Sequence, residues 1–179
     1  MKKVLLVGFI VLGIASFAQD KMTTKVGKIT FEASVPAFEE VKAKNNGVTC
    51  VINSKTGEIA SLALMKGFRF KIALMEEHFN ENYVESDKYP KATFKGKIEN
   101  FDVKDLSSTP KDFTMKGKLE LHGKSKEIIT IAKIKKTDDG IEIKSDFNVN
   151  ANDFDIAIPS VVKSKVSNKI GIKTEFLLK

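Results

Sequence analysis

The chain has 179 residues, 42% of them hydrophobic, with one cysteine, no tryptophan and a formal charge of +7. Its basic residues include only one arginine, Arg69, which argues against a nucleic-acid surface built from arginine and stacking aromatics. Cys50 has no second cysteine to pair with, so no internal disulfide staples the fold.

Lys2 and Lys3 precede an apolar run over residues 4–14, and Ser16 and Ala18 supply small residues at the positions a signal peptidase reads. The expectation is a removed signal over residues 1–18, cleavage before Gln19, and an exported product, periplasmic or extracellular. The run is too short for a span, which needs roughly 20 apolar residues, and no cysteine follows it to carry a lipid. Without Lys2 and Lys3, 28 basic side chains face 23 acidic ones. That mild excess suits anionic headgroups, so transient contact with a membrane surface is a further expectation. Residues 19–179 read as one domain, long enough to bury about 70% of its unfolded surface.

Strand patterns follow in series. Residues 29–34 alternate Ile29, Phe31 and Ala33 with polar neighbours, and Val35-Pro36 ends them. Residues 41–45 form a short polar piece, and Asn46-Gly47 reads as a turn opening a strand over 48–52. There Cys50 sits among apolar residues and reads as a small buried side chain, since no sequence neighbour would stabilise a thiolate. After Thr56-Gly57, strands are expected over 59–65 and 67–74. The second has the clearest two-residue period, with Phe68, Phe70, Ile72 and Leu74 on one face. Residues 75–86 space Met75, Phe79, Tyr83 and Val84 as one side of a short amphipathic helix, a lid or plug on something apolar. Tyr89-Pro90 stops it. Strands then follow over 92–100, 112–122, 125–136, 141–150 and 167–178, with turns at His122-Gly123-Lys124 and Asp138-Asp139-Gly140.

Short strands punctuated by turns mean a sandwich or a barrel. About eight antiparallel strands can close on themselves and remove their edges, which favours an all-β barrel. The apolar faces are large enough to fill a small barrel, so the pattern leaves open whether the interior is a solid core or an elongated pocket.

Catalytic signals are weak. His78 and His122 are the only histidines and have no partner at metal-ligand spacing. Glu76, Glu77, Glu81 and Glu85 read as the wet face of the helix. Gly123-Lys124-Ser125 lacks the upstream glycine of a phosphate loop. His122 most simply anchors a turn. No catalytic residue, metal or cofactor is expected.

Two segments carry a family resemblance: MEEHFNENYVESDKYPKATFKGKI, residues 75–98, and GKLELHGKSKEI, residues 117–128. They resemble the signature segments of the YceI-like family, exported proteins known for binding polyisoprenoids. The resemblance implies an eight-stranded lipocalin-like antiparallel barrel with a short helix near one mouth. It implies an interior enclosing an isoprenoid chain such as a quinone or polyprenyl lipid. In that case Phe68, Phe70, Ile72, Phe94, Ile98, Leu119, Leu121, Phe147, Ile172 and Phe176 would line the ligand cavity. The chain departs from the family pattern in lacking a His-Ser pair in the segment KVGKITFEASVPAFEEVKAKN. It also carries Asn152 and Asp155 where an arginine and a glycine are often found. The competing expectation is an envelope stress or interaction module with a solid core and no lipid.

Overall fold

The computed structural model describes residues 20–179; the expected signal over residues 1–18 lies outside the described residues. Nine strands are present: β1 (Lys21–Ser34), β2 (Lys42–Asn53), β3 (Glu58–Leu64), β4 (Arg69–Phe70), β5 (Lys91–Ile98), β6 (Lys111–Leu121), β7 (Lys124–Thr137), β8 (Gly140–Asn150) and β9 (Val166–Leu178). The antiparallel order β1-β9-β8-β7-β6-β5-β3-β2 returns to β1 through a direct β1–β2 pairing. Eight strands thus close into a barrel whose wall has no free edge. The two-residue β4 is an appendage on β2, with Phe70 opposite Ala43. The one α-helix among the described residues, α1 (Ala73–His78), continues into a π-helical turn, Phe79–Tyr83.

The turns behave as their residues demand. His122 and Gly123 both have positive φ, 51° and 71°, the pair of left-handed conformations a tight hairpin needs between β6 and β7. A side chain at Gly123 would also strike the Tyr89 ring, 2.8 Å away. Two residues, 138 and 139, connect β7 to β8.

Three elements differ from the sequence expectation. Asn46-Gly47 is not a turn: β2 runs through it, because residues on both sides pair with β1. Gly27 faces Val48 and Ile29 faces Asn45, so Asn46 and Gly47 are absorbed as a bulge, a device that bends a strand toward closure. The Asn45 carboxamide holds it, accepting from Gly47 N at 2.9 Å and donating to the Leu64 carbonyl at 2.9 Å. Residues 67–74 are not a strand despite their alternation. Only Arg69 and Phe70 pair with β2, and the Glu76 carboxylate then takes the Phe70 N–H at 3.1 Å, turning the chain into α1 and leaving Leu74 exposed. Finally, β1 starts at Lys21; a second irregularity between Thr24 and Gly27 inverts its pattern there, burying Thr24 and exposing Val26.

The two halves of the barrel are filled differently. At the lower end, which carries the β7–β8 hairpin, Ile52, Ile98, Phe113, Ile134, Ile141 and Leu178 are buried and pack into a solid core. The upper end carries the β1–β2 connection, α1 with its π-helical turn, the β6–β7 hairpin and the β8–β9 connection. There the interior is open.

Candidate functional site

The upper half encloses a cavity of about 340 Å³. Its floor is formed by inward residues of four strands, Ile59, Met115, Ile143 and Phe176. Close approach shapes this region: Gly96 and Gly117 face each other across β5 and β6, and the Phe94 ring tip lies 2.8 Å and 2.6 Å from where their Cβ atoms would stand. Only glycine leaves room for that ring on the inner wall. Gly27 likewise makes room for Phe176.

Eight of the ten residues singled out from the sequence line this cavity: Phe68, Phe70, Phe94, Leu119, Leu121, Phe147, Ile172 and Phe176. Ile98 does not; it points inward one pleat too low and is part of the solid core. Ile72 does not either, because the chain has left the strand there and Ile72 instead precedes α1. The lid face read from the helical spacing does reach the cavity, through Met75, Phe79, Tyr83 and Val84. Ile29, Phe31 and Met115 also line it; their strand alternation was the available signal. Phe154 comes from a short turn after β8 that has no periodic signature.

Phe79 seats the lid. Its ring stacks on Phe31 with centroids 5.1 Å apart and meets Phe70 at 5.2 Å and Phe68 at 5.9 Å. Polar contacts fasten its edges: Arg69 to Glu76 at 2.7 Å, Lys66 to Asp87 at 2.6 Å, and His122 Nε2 to Glu85 at 2.8 Å. His122 Nδ1 donates to the Phe154 carbonyl at 2.8 Å, and Tyr89 packs edge-on against the ring at 4.4 Å. His122 therefore ties the lid, the β6–β7 hairpin and the turn after β8 together. The expected all-solvated glutamate face is divided: Glu77 and Glu81 are exposed, whereas Glu76 and Glu85 make these ties.

Among the described residues no lysine or arginine lines the cavity, and its titratable groups are His78 and Tyr83. Some nearby charges pair with one another outside it. A hydrogen bond from Lys124, 2.8 Å away, holds the Asp155 carboxyl below its usual range and raises the lysine in turn. Burial pushes the Cys50 thiol up to about 12, a thiol inert in the folded barrel. Among the described residues no group of three His, Cys, Asp or Glu could hold a metal, and no helix is long and apolar enough to cross a membrane. The arrangement offers apolar burial with few directed polar contacts.

The model of the YceI-like domain matches residues 14–178. The chain belongs to the YceI-like family. Solved structures share the fold across low identity. A polyisoprenoid binding domain from Saccharophagus degradans, implicated in plant cell wall breakdown, superposes with a TM-score of 0.77 at 13% identity, covering 89% of this chain and 98% of that one. Burkholderia cenocepacia BcnA gives 0.70 at 13% identity, with 85% and 94% covered. A Campylobacter jejuni YceI protein gives 0.51 at 20% identity, with 98% of each chain covered. No curated protein matches the sequence. At these identities the likeness establishes the shared barrel, and this chain's YceI-like domain is a member with its own lining.

Proposed function

We propose that this protein is a non-enzymatic carrier or store that holds an isoprenoid lipid, a quinone or polyprenyl chain, in the upper half of its barrel. The observation that carries the reading is the apolar cavity of about 340 Å³, floored by a packed core and roofed by a helix that presents only apolar and aromatic side chains and His78 to it. Burial of a lipid chain supplies about 0.8 kcal/mol per methylene, so a chain needs no charged anchor to bind there. The volume is at the small end of the roughly 300–1,000 Å³ range of ligand pockets. A long polyprenyl tail therefore emerges past the lid, while a short one fits within.

Loading from a membrane surface is part of the proposal. Phe38, Leu74 and Val161, exposed by 47%, 57% and 82%, sit on three separate segments at the upper end. Each lies within three residues of a cavity-lining side chain: Val41, Met75 and Val162 respectively. Residues 156–174 contain no acidic side chain and carry Lys163, Lys165, Lys169 and Lys173. The amino-terminal pattern supports export, to a periplasmic or extracellular location, where such lipids are met at an envelope.

The test is native mass spectrometry of protein purified from its own envelope, with organic extraction of what it holds. A stoichiometric isoprenoid supports the carrier and names its cargo. A clean apo mass that stays unchanged after incubation with quinones and polyprenyl lipids rejects it in favour of an interaction module.

A further inference from the structure

The cavity is not uniformly apolar: besides Tyr83 on the lid and Thr93 on β5, three hydroxyls line it one inward position above its floor. Thr174 on β9 lies directly across the ladder from Ser145 on β8. Both line the cavity, and they are only 8% and 6% exposed. Their hydroxyl oxygens are 2.7 Å apart, and either atom could be the donor. Along each strand they stand one inward position above the floor residues Ile143 and Phe176. Ser61, one inward position above Ile59, lines the cavity from β3, which is four strands from β8 in either direction around the ring. Hydroxyls from opposite walls thus each stand one inward position above the floor, at the inner end of the cavity.

Counting hydrogens gives this cluster a preference. Two hydroxyls have two hydrogens, and the Ser145–Thr174 bond uses one of them. The other has no further protein acceptor among the described residues. A purely hydrocarbon chain pushed down to the floor strips this donor of water and leaves it unpaired, which is costly. A ligand whose inner end carries an oxygen acceptor removes that cost. The acceptor must be neutral, because no lysine or arginine among the described residues lines the cavity to compensate a buried phosphate.

We infer that Ser145 and Thr174, faced by Ser61, form a polar subsite that selects isoprenoids bearing a carbonyl oxygen, a ketone or quinone, and seats that carbonyl inward with the tail trailing toward the lid. The inference rests on the carrier reading and adds its ligand class and orientation. Polyprenyl phosphates, by the same reasoning, place the head at the mouth and draw nothing from these hydroxyls.

The experiment measures affinity of the purified protein for farnesylacetone, for the hydrocarbon of the same skeleton without its oxygen, and for farnesyl phosphate. The expected result is that the ketone binds about tenfold more tightly than the hydrocarbon, the scale of one unpaired buried hydroxyl. In a Ser145→Ala, Thr174→Val variant that advantage disappears, because the hydrocarbon no longer strands a donor and binds more tightly while the ketone loses its partner. Farnesyl phosphate affinity is unchanged by the variant. Equal binding of ketone and hydrocarbon by the native protein overturns the subsite, whether or not the variant folds, and leaves the carrier standing. Survival of the preference in a folded variant also overturns it. Failure of all three probes to bind overturns the carrier reading itself, and the subsite falls with it.

Discussion

Replacing Phe70 by Ala, beside the same change at Phe113, separates a cavity wall from a packed core. Phe113 is 6% exposed, packs edge-on to Phe101 at 5.9 Å and lies in the solid lower half. Its truncation leaves a sealed void and costs about 3–5 kcal/mol, as buried Phe→Ala changes do. Phe70 is half-buried with one side on the cavity, and its ring touches Phe31 at 5.6 Å and Phe79 at 5.2 Å. Truncation there enlarges an existing space, so the loss reduces to two ring contacts, each about 0.5–1.5 kcal/mol, and part of a transfer term. About 2 kcal/mol is expected, a fall in Tm of roughly 4–8 °C for a chain of this size. Ligand makes the difference sharper. Farnesylacetone at a hundred times the native Kd stabilises the native protein by about 2.7 kcal/mol through mass action. If the Phe70 ring supplies enough contact that its loss weakens binding about tenfold, that increment halves to about 1.4 kcal/mol, whereas Phe113→Ala keeps the full increment. Urea unfolding with and without the ketone reads all four quantities. A Phe70→Ala protein that loses as much as Phe113→Ala, with an unchanged ligand increment in both, refutes the division of the barrel into a floor and a cavity.

Three further outcomes follow from named contacts. His122→Ala removes bonds to Glu85 and the Phe154 carbonyl; a loss of about 2–3 kcal/mol is expected, with hydrogen exchange accelerating over residues 79–90 more than over β8, and uniform acceleration would deny the latch. Gly117→Ala places a Cβ 2.5 Å from the Lys95 carbonyl oxygen and 2.6 Å from the Phe94 ring, so β5 and β6 must part; about 1–3 kcal/mol is lost in urea unfolding, and a neutral change would mean the strands are not so closely opposed. Cys50, held protonated up to about 12, contributes stability that is complete below the unfolded thiol value of about 8.5 and is lost as pH climbs from there toward 12. Cys50→Ala should flatten the alkaline fall in stability by up to about 1.4 kcal/mol per pH unit, and an unchanged slope contradicts the burial of the thiol.

The barrel was legible because its strongest signals were local. Alternation in β5 to β9 and the turns at His122-Gly123 and Asp138-Asp139 fix the meander with little long-range help. What misled was information held elsewhere in the chain. Asn46-Gly47 carries the residues of a hairpin turn, yet β1 pairs on both sides of it and converts it into a bulge. The alternation over residues 67–74 is as regular as any strand, but the Glu76 carboxylate, several residues later, captures the Phe70 N–H and starts a helix. The same break explains why Ile72 misses the cavity. Ile98 faces inward as its alternation implies but lies below the cavity, because periodicity reports the side of a strand and not its depth. Phe154 reaches the cavity from a turn whose position depends on the His122 bond, which no local pattern announces.

Depth is also what reconciles stability with a hollow interior. No disulfide is available, so the wall ladders and the lower core must hold the fold. Placing the large side chains Ile52, Phe113, Ile134, Ile141 and Leu178 below the floor lets that half pack without regard to a ligand. The upper half can then forgo the contacts that a filled core would supply. Its closure relies on Phe79 among three other phenylalanines and on a few ion pairs, which is weaker than a strand pairing and easier to open. In the proposed carrier, a bound chain would replace the missing contacts, so ligand occupancy and lid closure would reinforce each other while the lower half stayed indifferent to both. The asymmetry suits the proposed release of a held lipid: opening the lid costs a local set of contacts, whereas opening a uniformly packed barrel would cost its global stability.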